Sequence, residues 1–262
     1  MKKGGELVLR CSCATRCGDR EYNEDNFRFG SMIEVTEPLG PIYAETSIWM
    51  DQTQVFCVCD GIGGSARGEL ASRRALKALS RFLGRKHIGQ MPMEELAAAA
   101  AEAAHSAVLD LYRRLGLKGG CTMVMAILRG ECYTIANIGD SPAYLYEGAT
   151  RQLKELTVSH SLGWLARQTG KPCPGGMEHQ LACYLGKEGA MAQDMLHMVH
   201  GTLTGEDMLI LCSDGVSNGI PGEKLKKYIK QGHNAAYIVQ KASERSGSDN
   251  CTAICLYPQR LK

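Results

Sequence analysis

Two aspartates each follow a short apolar run and precede a glycine. Asp60 ends one such run and stands before Gly61, and Asp214 ends another and stands before Gly215. A short apolar run is typical of a buried strand, and the glycine marks a turn. Strands that end in carboxylates can aim both groups at one point on a rigid scaffold. The pattern therefore predicts a metal site at the ends of two core strands.

Further acids stand at the same kind of boundary between an apolar segment and a polar or glycine turn. They are Glu24, Asp25, Asp140 and Asp249. Each acid alone is also compatible with a turn or capping role. If the acids converge, cations must offset their repulsion, because neighbouring carboxylates raise one another's pKa. An all-oxygen set suits two Mg²⁺ or Mn²⁺ ions, which can share a bridging carboxylate and activate a water for attack on phosphorus.

Two other motifs allow different chemistry. The glycine-rich stretch from Gly61 to Ala66 fits a dinucleotide-binding fingerprint. That fingerprint requires an acid about twenty residues later, where this chain has Arg81, and it requires alternating strands and helices. The cluster of Cys11, Cys13 and Cys17 lacks a paired C-x-x-C motif, so strand and loop thiols are favoured over a zinc site.

The elements that must position the acids are strands flanked by helices. Apolar residues recur every three to four positions from Glu69 to Leu83 and again from Pro92 to Arg114, which predicts two amphipathic helices. Strands joined by tight turns follow, and short links require antiparallel pairing. The predicted strands are Leu7–Thr15, Cys121–Leu128, Glu131–Ile138, Ala143–Tyr146, Gln152–Val158, Met208–Ser213 and Cys251–Tyr257, with further helices near Glu223–Lys230 and Ala235–Arg245.

Two segments are irregular. Residues 34–51 contain prolines and a glycine that indicate a loop or a hairpin insertion at a sheet edge. Residues 159–194 contain two prolines and several glycines, and a segment of this kind is often a lid or specificity element.

The composition limits the setting of the protein. A chain of 262 residues with 44% hydrophobic residues is typical of a globular protein, and we expect one catalytic domain over residues 1–262. The net charge of +2 gives no electrostatic case for a nucleic-acid or membrane partner. We find no secretory signal and no membrane span, so we expect a cytoplasmic protein without a disulfide framework.

Six short motifs occur in a fixed order along the chain. They are Arg20-x-x-Asn23-Glu24-Asp25, Asp60-Gly61-x-Gly63-Gly64, Gly120-x-Thr122, Asn137-x-Gly139-Asp140-Ser141, Ser213-Asp214-Gly215 and Asp249-Asn250-x-Thr252. Together they resemble the motif series of the metal-dependent type 2C protein serine/threonine phosphatases, particularly the bacterial members. The resemblance extends from about residue 10 to residue 257. Each motif is weak alone, but six in order are highly specific.

The resemblance implies an α+β fold: a four-layer α-β-β-α sandwich of two antiparallel sheets flanked by helices, with the metals between the sheets. It implies that Asp60 bridges two metals and that Asp214 and Asp249 complete one of them. The Gly61 carbonyl, and Glu24 through water, would serve the other metal. It further implies that Asp140 holds a weaker third ion, that Arg20 grips the substrate phosphate together with Asn250, and that residues 159–194 form a flap.

The chain departs from the family pattern at three positions. Ile62 stands where many relatives carry a histidine proposed as general acid, or a methionine, and isoleucine cannot titrate. Pro142 replaces the usual arginine of the Gly-Asp-Ser-Arg pattern, and Ser159 replaces an acid at the start of the flap. These changes bear on substrate preference and flap behaviour, whereas every implied metal ligand is retained.

The resemblance implies a monomeric phosphatase that hydrolyses phosphoserine and phosphothreonine by direct attack of a metal-bridging hydroxide. Its substrates would be phosphoproteins made by a serine/threonine kinase. Two alternatives stay open from the residues. One is a non-catalytic regulator that binds phosphoproteins on the same fold, and the other is a phosphatase for small phosphate esters or nucleotides.

Overall fold

The chain forms strands and helices over most of its length. The computed structural model describes residues 7–30, 32–33, 42–50, 52–62, 67–85, 88–189, 191, 195–247 and 249–260. Within these residues the strands are β1 (Leu7–Arg16), β2 (Asn26–Phe29), β3 (Met32–Ile33), β4 (Ile42–Trp49), β5 (Gln54–Cys59), β6 (Met123–Arg129), β7 (Cys132–Ile138), β8 (Ala143–Glu147), β9 (Gln152–Glu155), β10 (His197–Thr202), β11 (Met208–Cys212) and β12 (Cys251–Arg260). The helices are α1 (Gly68–Leu83), α2 (Met93–Leu115), α3 (Leu162–Thr169), α4 (Asp214–Gly219), α5 (Gly222–Lys230) and α6 (Ala235–Ser246), with a 3₁₀ turn at Ile88–Gln90.

The strands form two antiparallel sheets. In the described residues, the first sheet has the order β4-β1-β12-β11-β8-β9 and the second has the order β10-β7-β6-β5-β2-β3. The pairs β6–β7 and β8–β9 are antiparallel neighbours, as their short links predict. The predicted α+β sandwich of two antiparallel sheets is therefore confirmed.

Alternation along β5 shows how the layers are held together. Val55, Cys57 and Cys59 pack against the buried faces of α1 and α2, whereas Phe56 and Val58 face the other sheet. Successive side chains of a strand point to opposite faces, so a continuously apolar strand must be covered on both sides. The second sheet thus lies between a helical layer and its partner sheet.

The first sheet is covered in the same way. Ile210 and Cys255 pack against helices α4 to α6, where Val216 and Ile238 are fully buried. The other faces of β11 and β12 contribute to the core between the sheets. The layers follow the order α1/α2, second sheet, first sheet, α4/α5/α6, which is the predicted four-layer arrangement.

The two long helices begin and end where the sequence predicts. Glu94 and Glu95 lie in the first turn of α2, and Arg113 and Arg114 lie in its last turn, which favours the helix dipole at both ends. Gly116 follows with a φ of 64°, and its N–H donates to the carbonyl of Arg113. Glycine adopts this left-handed conformation without steric cost, so the helix stops there.

Three details differ from the sequence-based expectation. Residues 42–49, expected within a loop or hairpin insertion, form the edge strand β4; residues 34–41 and 51 lie outside the described residues. Strand β10 was not predicted, because its sequence HMVHGT lacks an apolar run and its side chains are only partly buried. The strand predicted to continue to Val158 ends at Glu155.

The predicted flap segment contains α3. Ser161 caps this helix by accepting a hydrogen bond from the N–H of Trp164. Residues 190 and 192–194 at the end of the segment lie outside the described residues. No helix among those described has both the length and the apolarity required to cross a bilayer.

All twelve cysteines are free thiols. Cys11 and Cys13 are buried in β1 and Cys17 is partly exposed. Burial raises the pKa of Cys11 to about 12 and also raises the pKa of Cys17.

Candidate metal centre

A polar pocket of about 170 Å³ lies where β5 and β11 end. The residues that the family resemblance assigns to the metals and the substrate all line it, whereas Asp25 does not: they are Arg20, Glu24, Asp60, Gly61, Asp140, Asp214, Asp249 and Asn250. The carboxyl groups of Asp60 and Asp214 lie within hydrogen-bonding reach of each other. The two strand-end aspartates therefore meet at one point, although they come from different sheets.

Asp60 is held through its main chain. Its N–H donates to Oγ1 of Thr122 at 3.0 Å, and its carbonyl accepts from the N–H of Thr122 at 2.8 Å. The hydroxyls of Thr122 and Ser141 are 2.6 Å apart. These hydrogen bonds continue the β5–β6 pairing beyond the end of the strand. The Asp60 side chain therefore extends from a main chain that is held in place. The motif residues Thr122 and Ser141 thus position Asp60, and Thr122 also lines the pocket.

Gly61 and Gly68 pack main chain against main chain at the start of α1. A Cβ on Gly61 would lie 2.3 Å from the carbonyl oxygen of Gly68, and a Cβ on Gly68 would lie 2.7 Å from the carbonyl carbon of Gly61. The N–H of Gly68 donates to Oε1 of Glu24 at 3.2 Å. The first turn of α1 therefore holds Glu24 beside Gly61, and the contact requires glycine at both positions.

Asn250 ties the loop before β2 to the start of β12. Its Oδ1 accepts from the N–H of Glu24 at 2.8 Å, and its Nδ2 donates to the carbonyls of Cys17 at 2.8 Å and Tyr22 at 3.1 Å. Both ends of the amide thus bind main-chain groups. The substrate-binding role predicted for Asn250 stays a prediction, whereas these hydrogen bonds give it a positioning role.

Arg20 stands at the mouth of the pocket. Its Nη2 lies 3.1 Å from Oδ1 of Asp249, and half of its side chain is exposed (50%). A guanidinium at this position can present further N–H groups to a phosphate, since it carries five donors in a planar fork. The ion pair also places Arg20, the residue predicted to bind the phosphate, directly beside Asp249, a predicted metal ligand.

Asp25 is a buried member of the cluster that the sequence did not separate from its neighbour Glu24. It is fully buried, and its Oδ2 accepts a 2.6 Å hydrogen bond from the hydroxyl of Ser213. Its Oδ1 has no hydrogen-bond partner among the described residues. The signal was present, because both acids belong to one motif, but the sequence does not show which acid is the more deeply buried.

Burial and mutual repulsion raise the pKa values of the acids. Burial raises the pKa of Asp60 well above its ordinary value, with further contributions from Asp25, Asp214 and Asp140. Burial raises the pKa of Asp25 to about 7, and burial followed by the charge of Asp214 raises the pKa of Asp140 to about 6. The pKa of Asp214 is raised by burial and then by Asp249. Positive charge in this pocket would relieve this repulsion.

The donor set fits hard divalent cations that retain water. Within the described part of the chain, no three His, Cys, Asp or Glu side chains form a group that could enclose a metal ion by themselves. The pocket instead offers spread carboxylates and the main chain of Gly61. Mg²⁺ and Mn²⁺ bind through few protein oxygens and complete their shells with water.

Comparison with known proteins shows the family of the chain. The family model of protein phosphatase 2C matches residues 45–244. The chain belongs to the protein phosphatase 2C family. The serine/threonine phosphatase stp of Listeria monocytogenes is 31% identical over 249 residues, which cover 90% of each chain.

Solved structures of this family share the fold. The serine/threonine phosphatase PstP/Ppp of Mycobacterium tuberculosis has a TM-score of 0.73 at 21% identity, covering 97% of this chain and 100% of that one. The catalytic domain of PstP in complex with two manganese ions has a TM-score of 0.73 at 23% identity, with 97% and 99% coverage. The S. agalactiae serine/threonine phosphatase has a TM-score of 0.75 at 18% identity, with 95% and 99% coverage.

The positions at which the chain departs from the family pattern lie at or near the pocket. Ile62 lines it, with its N–H bound to the carbonyl of Gly120 at 2.9 Å. Leu181 from the flap segment also lines it and was not singled out from the sequence. The carbonyl of Pro142 accepts from the N–H of Cys212, so this proline serves the strand that leads to Asp214.

Proposed function

We propose that this protein phosphatase 2C is a metal-dependent enzyme that hydrolyses phosphoserine and phosphothreonine in proteins. One observation carries the proposal: acids from both sheets converge with Gly61 and Arg20 on one small pocket. The raised pKa values of Asp60, Asp140 and Asp214 support it, because buried carboxylates that repel one another require cations.

The proposed ligands form two sets that share Asp60. Asp60, Asp214 and Asp249 would hold one ion together with water. Asp60, the Gly61 carbonyl and, through water, Glu24 would hold the other. Asp140 would serve a weaker third ion. Mn²⁺ or Mg²⁺ bound there would offset the carboxylate charge and activate a water for in-line attack on phosphorus. The complex of PstP with two manganese ions supports a centre of two ions.

Of the remaining residues, Arg20 would bind the substrate, and two others position the main chain of the proposed metal ligands. Arg20 at the pocket mouth would grip two phosphate oxygens with its planar guanidinium. Asn250 holds the main chain at Glu24 and Cys17, and Thr122 holds that of Asp60. Ile62 offers no proton, so the departing serine or threonine oxygen would take its proton from water.

The proposed setting is the cytoplasm, where a monomeric enzyme would oppose a serine/threonine kinase in signalling. The naming of stp as a serine/threonine phosphatase supports phosphoprotein substrates. Phosphopeptide turnover compared with turnover of nucleotides and small phosphate esters tests this substrate class. Preferential hydrolysis of the small esters would replace the proposal with the small-molecule alternative.

Metal-dependent turnover of a phosphothreonine peptide tests the activity. We expect Mn²⁺ to activate the wild-type protein, a chelator to abolish the activity, and Asp60→Asn and Asp249→Asn to remove it. Glu102→Gln, an exposed change on α2, is the matched control and keeps full activity. Equal rates in all variants, or rates that a chelator leaves unchanged, contradict the proposal. Calorimetric Mn²⁺ binding without turnover would instead support the non-catalytic regulator.

A further inference from the structure

A groove of about 430 Å³ adjoins the metal pocket and shares Asp140 and Asp214 with it. Its lining includes Tyr144 and Glu155 from the β8–β9 edge of the first sheet, Ser217 from α4 and His179 from the flap segment. No lysine or arginine is among the described residues that line the groove. A chain whose phosphorylated residue occupies the pocket can therefore continue into a groove that offers acids and no fixed cation.

Glu155 is the one carboxylate of the groove that the proposed metal centre does not use. The other two acids of its lining, Asp140 and Asp214, are both proposed metal ligands. Glu155 forms no ion pair within the described residues, and its one side-chain hydrogen bond there, from the hydroxyl of Thr157, is long at 3.5 Å. The adjacent Lys154 does not neutralise it, because its ammonium lies 2.6 Å from Glu147 instead.

Tyr144 stands directly beside Glu155. The two residues are opposite each other in the β8–β9 register, so their side chains lie on the same face of the sheet. A carboxylate next to an aromatic ring suits the side chain of arginine or lysine. The cation pairs with the carboxylate, and the apolar stem or the guanidinium plane packs on the ring.

We propose that Glu155 is a specificity-determining residue that selects phosphoproteins with an arginine or lysine close to the phosphorylated residue. The inference rests on the proposed phosphatase function and names the substrate class of the same site. The phosphorylated side chain enters the metal pocket, and the flanking chain lies in the groove, where its basic side chain pairs with Glu155 and packs on the ring of Tyr144.

Matched phosphothreonine peptides test this selection. One series carries a single arginine moved along the positions on either side of the phosphothreonine, and two further series carry glutamine or glutamate there. Each rate is divided by that of p-nitrophenyl phosphate, which has no flanking chain, for the same protein preparation. The proteins compared are the wild type, Glu155→Gln, Glu155→Lys and, as control, Glu102→Gln.

We expect arginine at the preferred position to raise kcat/KM about fivefold over glutamine in the wild type and in Glu102→Gln, as for a favourable exposed ion pair. The ratio falls to about one in Glu155→Gln, because the charge is lost. It inverts in Glu155→Lys, where the glutamate peptide becomes the better substrate.

Three outcomes overturn the inference in distinguishable ways. A wild type that hydrolyses all peptides at one rate shows that the groove does not select basic residues. An arginine preference that persists in both Glu155 variants assigns the selection to another residue. Absence of Mn²⁺-dependent turnover of every peptide and of p-nitrophenyl phosphate overturns the proposed function itself, and the inference falls with it.

Discussion

Asp60 combines a rigid main chain with an unfavourable electrostatic position. Its N–H and carbonyl are both bound to Thr122, so the residue cannot move away from the other acids. Burial and three neighbouring aspartates raise its pKa. In the metal-free protein, a carboxyl group with a raised pKa stabilises the fold at low pH, and this contribution is lost as the pH rises through the folded-state pKa. The metal-free protein therefore becomes less stable toward neutral pH on account of these acids.

The first prediction concerns Asp60→Asn. Removing one buried charge should raise the free energy of unfolding of the metal-free protein by about 1–3 kcal/mol near pH 8. The same change should lower Mn²⁺-dependent phosphothreonine hydrolysis about 100-fold or more, since loss of one electrostatic partner of the reacting group has effects of this size. Denaturant titration in a chelator and a peptide assay measure the two effects.

Asp110→Asn is the control, because Asp110 is exposed on α2. It should change neither quantity. A metal-free Asp60→Asn protein that is less stable than the wild type would contradict the electrostatic account of the pocket.

At the residue scale, the sequence identified a site residue where an acidic side chain stands between an apolar strand and a glycine. Asp60 and Asp214 stand out because an apolar strand and a glycine enclose each of them. Asn250 was singled out for substrate binding, whereas its amide is bound to three main-chain groups. Sequence position cannot show this, because the partners lie more than two hundred residues away.

At the element scale, the start of α1 supports the metal pocket. Gly68, the first residue of α1, contacts Gly61 and donates its N–H to Glu24. A methyl group at Gly68 would clash with main-chain atoms of Gly61, which have no rotamer to change. The start of α1 would therefore have to shift away from the pocket.

The second prediction is that Gly68→Ala destabilises the protein by about 1–3 kcal/mol, the usual cost of overpacking, and weakens Mn²⁺ binding. Denaturant titration and calorimetry with Mn²⁺ measure these effects. Gly89→Ala is the matched control, because a Cβ on Gly89 meets no atom within 4 Å. Equal Mn²⁺ affinity in both variants would show that α1 does not position the site.

His160 anchors the flap segment to the turn that carries Asp140. Its ring Nδ1 accepts from the N–H of Gly139 at 3.1 Å, and its main-chain N–H donates to the carbonyl of Gly139 at 3.0 Å. The ring also meets Trp164 of α3 edge to face, with centroids 4.7 Å apart. Burial, followed by the charge of His197, lowers the pKa of His160 to about 4.

The third prediction concerns the stability that depends on neutral His160. The unfolded chain binds the proton near pH 6.5, so this stability is present above about pH 6.5 and is lost as the pH falls toward 4. The loss should reach about 3 kcal/mol at most, from a pKa shift between 6.5 and about 4. The difference in unfolding free energy between the wild type and His160→Asn, followed against pH in a chelator, isolates it. A difference that does not vary with pH would contradict the assignment.

At the scale of the whole molecule, the proposed metal centre takes its acids from both sheets. Asp60 follows β5 of the second sheet, whereas Asp214 and Asp249 adjoin β11 and β12 of the first sheet. A cation held between these acids would bind only when both sheets are in place. Ligand binding to the native state alone raises its stability by mass action.

The fourth prediction is therefore a concentration-dependent rise in melting temperature with Mn²⁺. At a free Mn²⁺ concentration about 100 times the Kd, the free energy of unfolding should rise by about 2.7 kcal/mol. Asp249→Asn should reduce this gain, and Glu102→Gln should retain it. Differential scanning fluorimetry at several Mn²⁺ concentrations measures the shift, and a shift of equal size in Asp249→Asn would contradict the role of that residue.

Much of the architecture could be predicted from the chain, because long apolar runs and clear helix ends determine most elements. The order of the strands could not, since the pairing of β10 with β7 and of β4 with β1 joins segments that are distant in sequence. The half-polar sequence of β10 gives no local signal, and only its neighbour makes it a strand. Likewise, the groove beside Glu155 exists only after β8, β9, α4 and the flap segment have assembled.

The buried cysteines allow separation of the two sheets to be measured by thiol labelling. Nine of its twelve thiols are buried, and only Cys17, Cys132 and Cys173 have appreciable exposure. Burial raises the pKa of Cys57 and of Cys212 well above the ordinary thiol value. The hydrogen bond with Cys121, followed by burial, does the same for Cys59, so all three groups are shielded and protonated while the layers stay closed. In an alkylation time course, the native protein should therefore label at three positions and then stop. Any further labelling would report molecules whose sheets have separated. Mn²⁺ should slow this further labelling, so metal binding can be followed without measuring phosphate release.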